Sequence, residues 1–213
     1  MEIHLPHRVA SLKEFLRELV TITAGILIAL SLEGLLEWRH HHEMVREARA
    51  NIVSELRENQ HELTNELQDL VKMRKQAVDL VNLVHQLEEN RNLKINQVQL
   101  IWSFAELHST SWDTAGKTNA LAYMPYSEVK RYSAVYDLQH AFADLQQRSM
   151  AAGLEVQGLS TLLDRKTQSL TTAELADAER RIGLVIANVT AMQQIAQPLN
   201  QRYAEVLKSA ESD

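Results

Sequence analysis

Between Leu19 and Leu32 the chain carries no charge, and charged residues stand on both sides of that run, at Arg17 and Glu18 and again at Glu33, Glu37 and Arg39. A membrane-crossing helix needs about 20 mostly apolar residues for about 30 Å of hydrocarbon. The run reaches that length when Leu16, Leu35 and Leu36 are counted with it. Arg17 and Arg39 can snorkel, and Trp38 suits the interface as an amphipathic aromatic. The reading is a transmembrane helix over 18–38. The competing reading is the buried helix of a soluble bundle. A cleaved signal peptide fits poorly, because the run is followed by Glu-Trp-Arg-His-His-His-Glu instead of small residues.

One stripe of this helix steps by four through Thr21, Gly25, Ala29 and Glu33. Residues four apart share a face, and small residues there let two helices approach closely in lipid. The stripe is the expected oligomer interface, with Glu33 turned to protein or water. The bland alternative is chance, since such residues are common in spanning helices.

The rest of the chain reads as helix. Of 213 residues, 6 are Gly and 3 are Pro, and aromatics are 5%. Both counts argue against a β-rich fold. The net charge of −6 leaves no basic footprint, so nucleic acid is not an expected partner. The absence of cysteine removes disulfides and thiol chemistry.

In chain order, 1–17 is an amphipathic N-terminal segment: Met1 to Pro6 as a tail, then Val9, Leu12, Phe15, Leu16 and Leu19 at helical spacing. After the span, Ile52, Asn59, Glu66, Met73, Leu80 and Leu87 recur every seven residues, with Leu56, Leu63, Leu70, Ala77 and Val84 offset by four. That is an a/d pattern. Asn59 and Glu66 interrupt it, and Leu67, Val71, Val78 and Val81 widen the seam towards that of a bundle. A polar stretch from Glu88 to Asn96 precedes a short helix with Val98, Ile101, Trp102 and Ala105. A second short helix, capped by Ser or Thr, carries Trp112, Ala115 and Leu121. Met124-Pro125 breaks it and opens the next helix. That helix is expected to run past Gly153 and Gly158 towards Gln168. Thr171 to Glu174 is a capping box for the last helix, which Pro198 should kink.

The expected fold is all-α: an N-terminal transmembrane helix continuous with an elongated antiparallel helical bundle over 39–208, and a tail over 209–213. The two short helices would sit at the tip farthest from the membrane, where Trp102, Trp112, Tyr123 and Tyr126 would offer a ligand or partner site, or simply pack the bundle end.

Two other clusters invite chemistry. Ala115-Gly116-Lys117-Thr118 looks like the end of a phosphate loop, but the required earlier glycine is Ser111 and no strand precedes it. His40, His41 and His42 are consecutive, so on one helix they diverge and one chain cannot close a metal site with them. They read as a polar interfacial collar. No cofactor is implied. No Ser/His/Asp or paired-carboxylate spacing supports an enzyme.

Gly25-Ile-Leu-Ile-Ala-Leu30, followed by Trp38, Glu47, Ala50, Glu55 and Asn59, resembles a family of bacterial single-span membrane proteins of unknown function. The segments Glu33–Trp38, Ser111–Ala115 through Leu121, and Tyr132–Tyr136 are similar to it as well. The resemblance covers about two thirds of the chain. It implies an anchored helical protein of the bacterial inner membrane and no activity. The positive charges near the span nearly tie, Arg8, Lys13 and Arg17 against Arg39, Arg46 and Arg49. A short tail before an uncleaved anchor leans towards a periplasmic bundle. The functional expectation is a non-enzymatic, self-associating scaffold or interaction protein whose partners are the lipid bilayer, copies of itself and other proteins. The alternatives are a sensory, ligand-binding bundle acting through a partner and, last, an oligomeric pore lined by Glu33.

Overall fold

A computed structural model describes residues 12–93, 102–159 and 167–210. Among them every regular element is helical: α1 (Leu12–Glu89), α2 (Thr110–Lys117), α3 (Tyr126–Gly158) and α4 (Thr172–Ala210), with short 3-10 turns at Ala120–Tyr123 and Thr167–Ser169. The chain divides into two compact units, Met1–Glu47 and Ala48–Asp213, and α1 contributes to both.

In the first unit the described part is a single helix, exposed at every residue from Leu12 to His40. Its apolar stretch reaches a mean hydropathy of 2.1 over 18 residues, none of them buried. It is thus long and apolar enough to cross a membrane. The expected tail and Val9 lie outside the described residues.

In the second unit both heptad tracks point inward. Ile52, Leu56, Leu63, Leu70, Met73, Ala77, Leu80, Val84 and Leu87 are buried, and so are the interruptions Asn59 and Glu66. The seam is narrower than expected: Val71 and Val78 are exposed. The a/d face is covered from within the chain, by α3 and α4, so a second copy of α1 is not needed to bury it.

Proline and capping chemistry set the helix ends. Met124 is extended (φ −80°, ψ 152°), as a residue before proline should be, and Pro125 precedes the first turn of α3. Asn119, at φ 65°, ends the α2 turn in the left-handed region that asparagine tolerates. At α4 the capping box is complete: Thr171 N donates to Glu174 Oε2 at 2.8 Å, and Glu174 N donates back to Thr171 Oγ1 at 3.2 Å. The α4 helix continues through Pro198.

The segment between α1 and α2 departs from expectation. Residues 102–109 carry no helix, and Val98 and Ile101 lie outside the described residues. The reason is hydrogen bonding to distant side chains. The Ala105 carbonyl accepts from Gln146 Nε2 at 3.1 Å, and the His108 carbonyl accepts from Asn59 Nδ2 and Gln139 Nε2 at 2.7 and 2.9 Å. Those partners replace a helical ladder. Helix α3 ends at Gly158, short of Gln168, while Gly153 lies inside it unbroken.

This extended return sets the topology. Arg49 meets Glu128, Glu55 meets Tyr136 and Asn59 meets Gln139, so α1 and α3 run in the same direction. Helix α4 runs against both: Tyr203 reaches Gln139, Asn188 reaches Arg148, and Glu179 reaches His85. The antiparallel order expected between successive long helices therefore holds for α3 and α4, but not for α1 and α3. The segment 102–109, expected as part of a short helix at the tip, instead runs back along α1 and α3 in extended form. At the far end, Arg91 Nη1 donates to the Leu170 carbonyl at 2.6 Å, closing the α3–α4 connection onto the end of α1.

Candidate functional site

The polar groups of the second unit converge at one end of it, on the first turns that α1 contributes. Three rungs lie in succession. In the first, Arg49 Nε and Nη2 donate to Glu128 Oε1 and Oε2 at 2.6 and 2.9 Å, a bidentate fork, and Tyr132 OH donates to Glu128 Oε1 at 3.1 Å. The hydrogen bond from Arg49 holds the Glu128 carboxyl below its usual range despite burial. In the second, Glu55 accepts from Tyr136 OH at 2.7 Å and from Ser111 N at 2.8 Å. Glu55 thereby caps α2 from another helix: Ser109, at the N-cap position, makes no side-chain cap bond. A carboxylate suits the positive end of a helix. In the third, Asn59 Nδ2 donates to Gln139 Oε1 at 3.1 Å, His108 N donates to Asn59 Oδ1 at 2.9 Å, and Tyr203 OH donates to Gln139 Oε1 at 2.7 Å.

Aromatic rings close the layer. Trp112 stacks on Tyr136, centroids 5.2 Å apart, and meets Tyr132 edge-on at 6.5 Å. Burial, then the neighbouring carboxylates, drives the Tyr132 and Tyr136 hydroxyls up. Tyr203 is raised by burial and by Glu55. All three therefore remain neutral donors at physiological pH. Beside the second rung lies a cleft of about 300 Å³ lined by Asn51, Ser54, Glu55, Glu58, His108, Thr110 and Ser111. Its lining is polar, so hydrogen bonding is the chemistry it can offer a ligand.

The four aromatics expected together at a tip are separated, and the site lies at the opposite end of the unit from Glu89. Trp112 belongs to the layer just described. Tyr123 and Tyr126 flank Met124-Pro125 at the start of α3, Tyr126 82% exposed. Trp102 lies against Gly153 and stacks with Phe104 at 6.4 Å. Tyr126 and Gly153 are 27 residues apart on one helix, roughly 40 Å at 1.5 Å per residue. The physical reason is again the extended return, which carries α2 back to the start of α1 in this unit.

Thr21, Gly25, Ala29 and Glu33 lie exposed in the first unit, with nothing within 4 Å of a side chain built on Gly25. Lys117 and Thr118 end α2, and no strand precedes them among the described residues. Trp38 stacks on His42 at 4.8 Å, while His40 and His41 diverge, their rings 6.0 Å apart and tilted by 50°. Among the described residues no group of three His, Asp or Glu converges as a metal site.

Arg49, Glu128, Gln139 and Tyr203 carry no signal in the sequence; Glu55 stands only among the residues of the family resemblance, and Asn59 there and as a polar residue on an apolar heptad track. No family model, curated protein or solved structure matches the chain.

Proposed function

We propose that the chain is a non-enzymatic, membrane-anchored scaffold or interaction protein of the bacterial inner membrane that self-associates through its span. The observation that carries this reading is the apolar stretch of α1, exposed over its whole length. A core helix of a soluble bundle would have its apolar side chains covered. Here Leu19, Val20, Ile22, Ile26, Leu27, Ile28, Leu30 and Leu32 are all at the surface. Burial of such a side chain is worth about 1.5–3 kcal/mol, so lipid is the fitting solvent. Two details support it. Thr21 Oγ1 donates to the Arg17 carbonyl at 2.8 Å, and Ser31 Oγ donates to the Leu27 carbonyl at 2.6 Å. Both hydroxyls are thus satisfied within the helix, as a hydrocarbon environment requires. The spacing of Thr21, Gly25 and Ala29 supports a close contact between two copies, and the family-like motifs around Gly25–Leu30 support the bacterial assignment.

The test is topology. The chain lacks cysteine, so Ser212→Cys gives one reporter for a membrane-impermeant maleimide in cells opened only at their outer barrier. Co-sedimentation with alkaline-washed membranes and labelling from outside are expected. Protein released by the alkaline wash would remove the anchor, and a reporter labelled only after lysis would turn the bundle to the cytoplasm. A sensory bundle is the second reading, favoured by the polar cleft beside Glu55. A ligand from a screened metabolite set that raises the melting temperature, and ceases to do so in Glu58→Ala, would favour it.

A further inference from the structure

Three glutamates of the second unit are buried: Glu55, Glu66 and Glu128. Glu55 and Glu128 have hydrogen bonds to both carboxylate oxygens. Glu66 differs. It is 2% exposed, yet its Oε1 has no partner among the described residues. The Ser103 hydroxyl of the extended segment reaches its carboxyl, and on its own helix Glu62 and Asp69 add like charge.

Among the described residues no cation pairs with Glu66; on its own helix Lys72 is exposed and bound to Asp69 at 2.6 Å. Helix α4 carries no charged residue between Arg181 and Arg202. Along the neighbouring stretch of α3 the titratable groups are His140, Asp144 and Arg148, all exposed, and on the extended segment they are Glu106 and His108, exposed as well. Two more oxygens nearby in register, Gln146 Oε1 and Ser149 Oγ, are also buried without a partner among the described residues. Gln146 is tied to Ala105, two residues from Ser103, and Trp102, next to Ser103 on the other side, lies against Gly153.

A buried carboxylate without a counter-ion is costly, and the group responds by holding its proton. Burial raises the Glu66 carboxyl from its ordinary 4.5 to about 7, with Asp69 and Glu62 adding to the rise and Ser103 opposing it. We propose that Glu66 is a proton-operated latch on the extended segment 102–109: protonated, it lets the segment lie closed over α1 and α3, and ionised, it draws water into the layer and loosens the segment around Ser103. Ser103 compensates only in part, since one hydroxyl cannot replace the hydration of two charged oxygens. Two titratable side chains reach this segment through Ser103: Glu66, and Asp69, whose carboxyl the paired Lys72 holds below its ordinary value, so that Glu66 is the one that changes charge near neutrality. The others, at Ala105 and His108, are backbone–amide bonds that do not change with pH.

The cysteine-free chain allows a direct test on the full-length protein in lipid nanodiscs. Phe104→Cys carries a nitroxide label on the segment, and its spectrum is followed from pH 5 to pH 9. An immobile label at pH 5 is expected, with a mobile component growing in at a midpoint near 7. In Glu66→Gln the label should stay immobile throughout, and in Ser103→Ala the midpoint should move to lower pH, because the bond that steadies ionised Glu66 in the closed segment is gone. A label whose mobility ignores pH overturns the proposal, and so does an unchanged transition in Glu66→Gln. If Glu66→Gln does not fold by circular dichroism, Ser103→Ala decides alone, and a midpoint that stays or rises overturns it.

Discussion

At the scale of single residues, hydrogen bonding determines what the buried polar groups contribute. Glu55 depends on Tyr136 for one of its two partners. Tyr136→Phe keeps the stacked ring and removes that donor, so a loss of about 1.5–3 kcal/mol in urea-unfolding stability is expected. Gly153 is a second sensitive point. A methyl group there would meet the Trp102 ring at 2.2 Å, so Gly153→Ala must displace the ring. About 1–3 kcal/mol of destabilisation is expected, as for overpacking elsewhere, accompanied by a red-shifted Trp102 emission in a Trp38→Phe, Trp112→Phe background. The Arg49–Glu128 fork gives a pH dependence of known sign. The Glu128 carboxyl is depressed in the folded state, so its stabilisation is present above the ordinary carboxyl value and lost as the pH falls through the depressed one. Arg49→Gln should flatten that acid limb in a melting-temperature profile, and an unchanged limb would assign it to other carboxyls.

At the scale of elements, local chemistry was readable and distant chemistry was not. Every position of the heptad tracks from Ile52 to Leu87 is buried, because a repeat of seven marks one face whatever covers it, while buried Val45 and Glu55 lie outside the tracks. The Met124-Pro125 break and the Thr171–Glu174 box were readable for the same reason: each acts within one turn. Thr171→Ala should lower stability by about 0.5–2 kcal/mol, measured by thermal unfolding. The segment 102–109 was not readable. Val98, Ile101, Trp102 and Ala105 are spaced as on a helix, but the backbone of 102–109 is claimed by Asn59, Gln139 and Gln146, which lie 31 to 49 residues away. Periodicity does not encode such partners. The same holds for the candidate site, where Glu55 caps a helix 56 residues downstream. Within the anchor, Gly25→Leu bears on self-association. If the Thr21/Gly25/Ala29 stripe is the contact, the detergent-corrected mass should fall to that of the monomer in light scattering, and an unchanged mass would remove the stripe.

At the scale of the whole molecule, the parallel pairing of α1 and α3 is the feature that no local signal announced. Two successive long helices usually return on each other across a short loop. Here the described part of the return, 102–109, is extended, and α4 runs against both. Residues as far along as Tyr203, Val206 and Leu207 are buried at the end where α1 begins its part of the second unit. This order has a consequence during biosynthesis. The apolar face from Ile52 to Leu87 leaves the ribosome first, and its last cover follows only when Tyr203 to Leu207 emerge. At about 5–20 residues per second, that face waits on the order of ten seconds, already attached to the stretch best suited to lipid. A chain synthesised at a membrane would spend that interval held apart from its siblings. One synthesised free in solution would spend it exposing a stripe that any other nascent copy could cover.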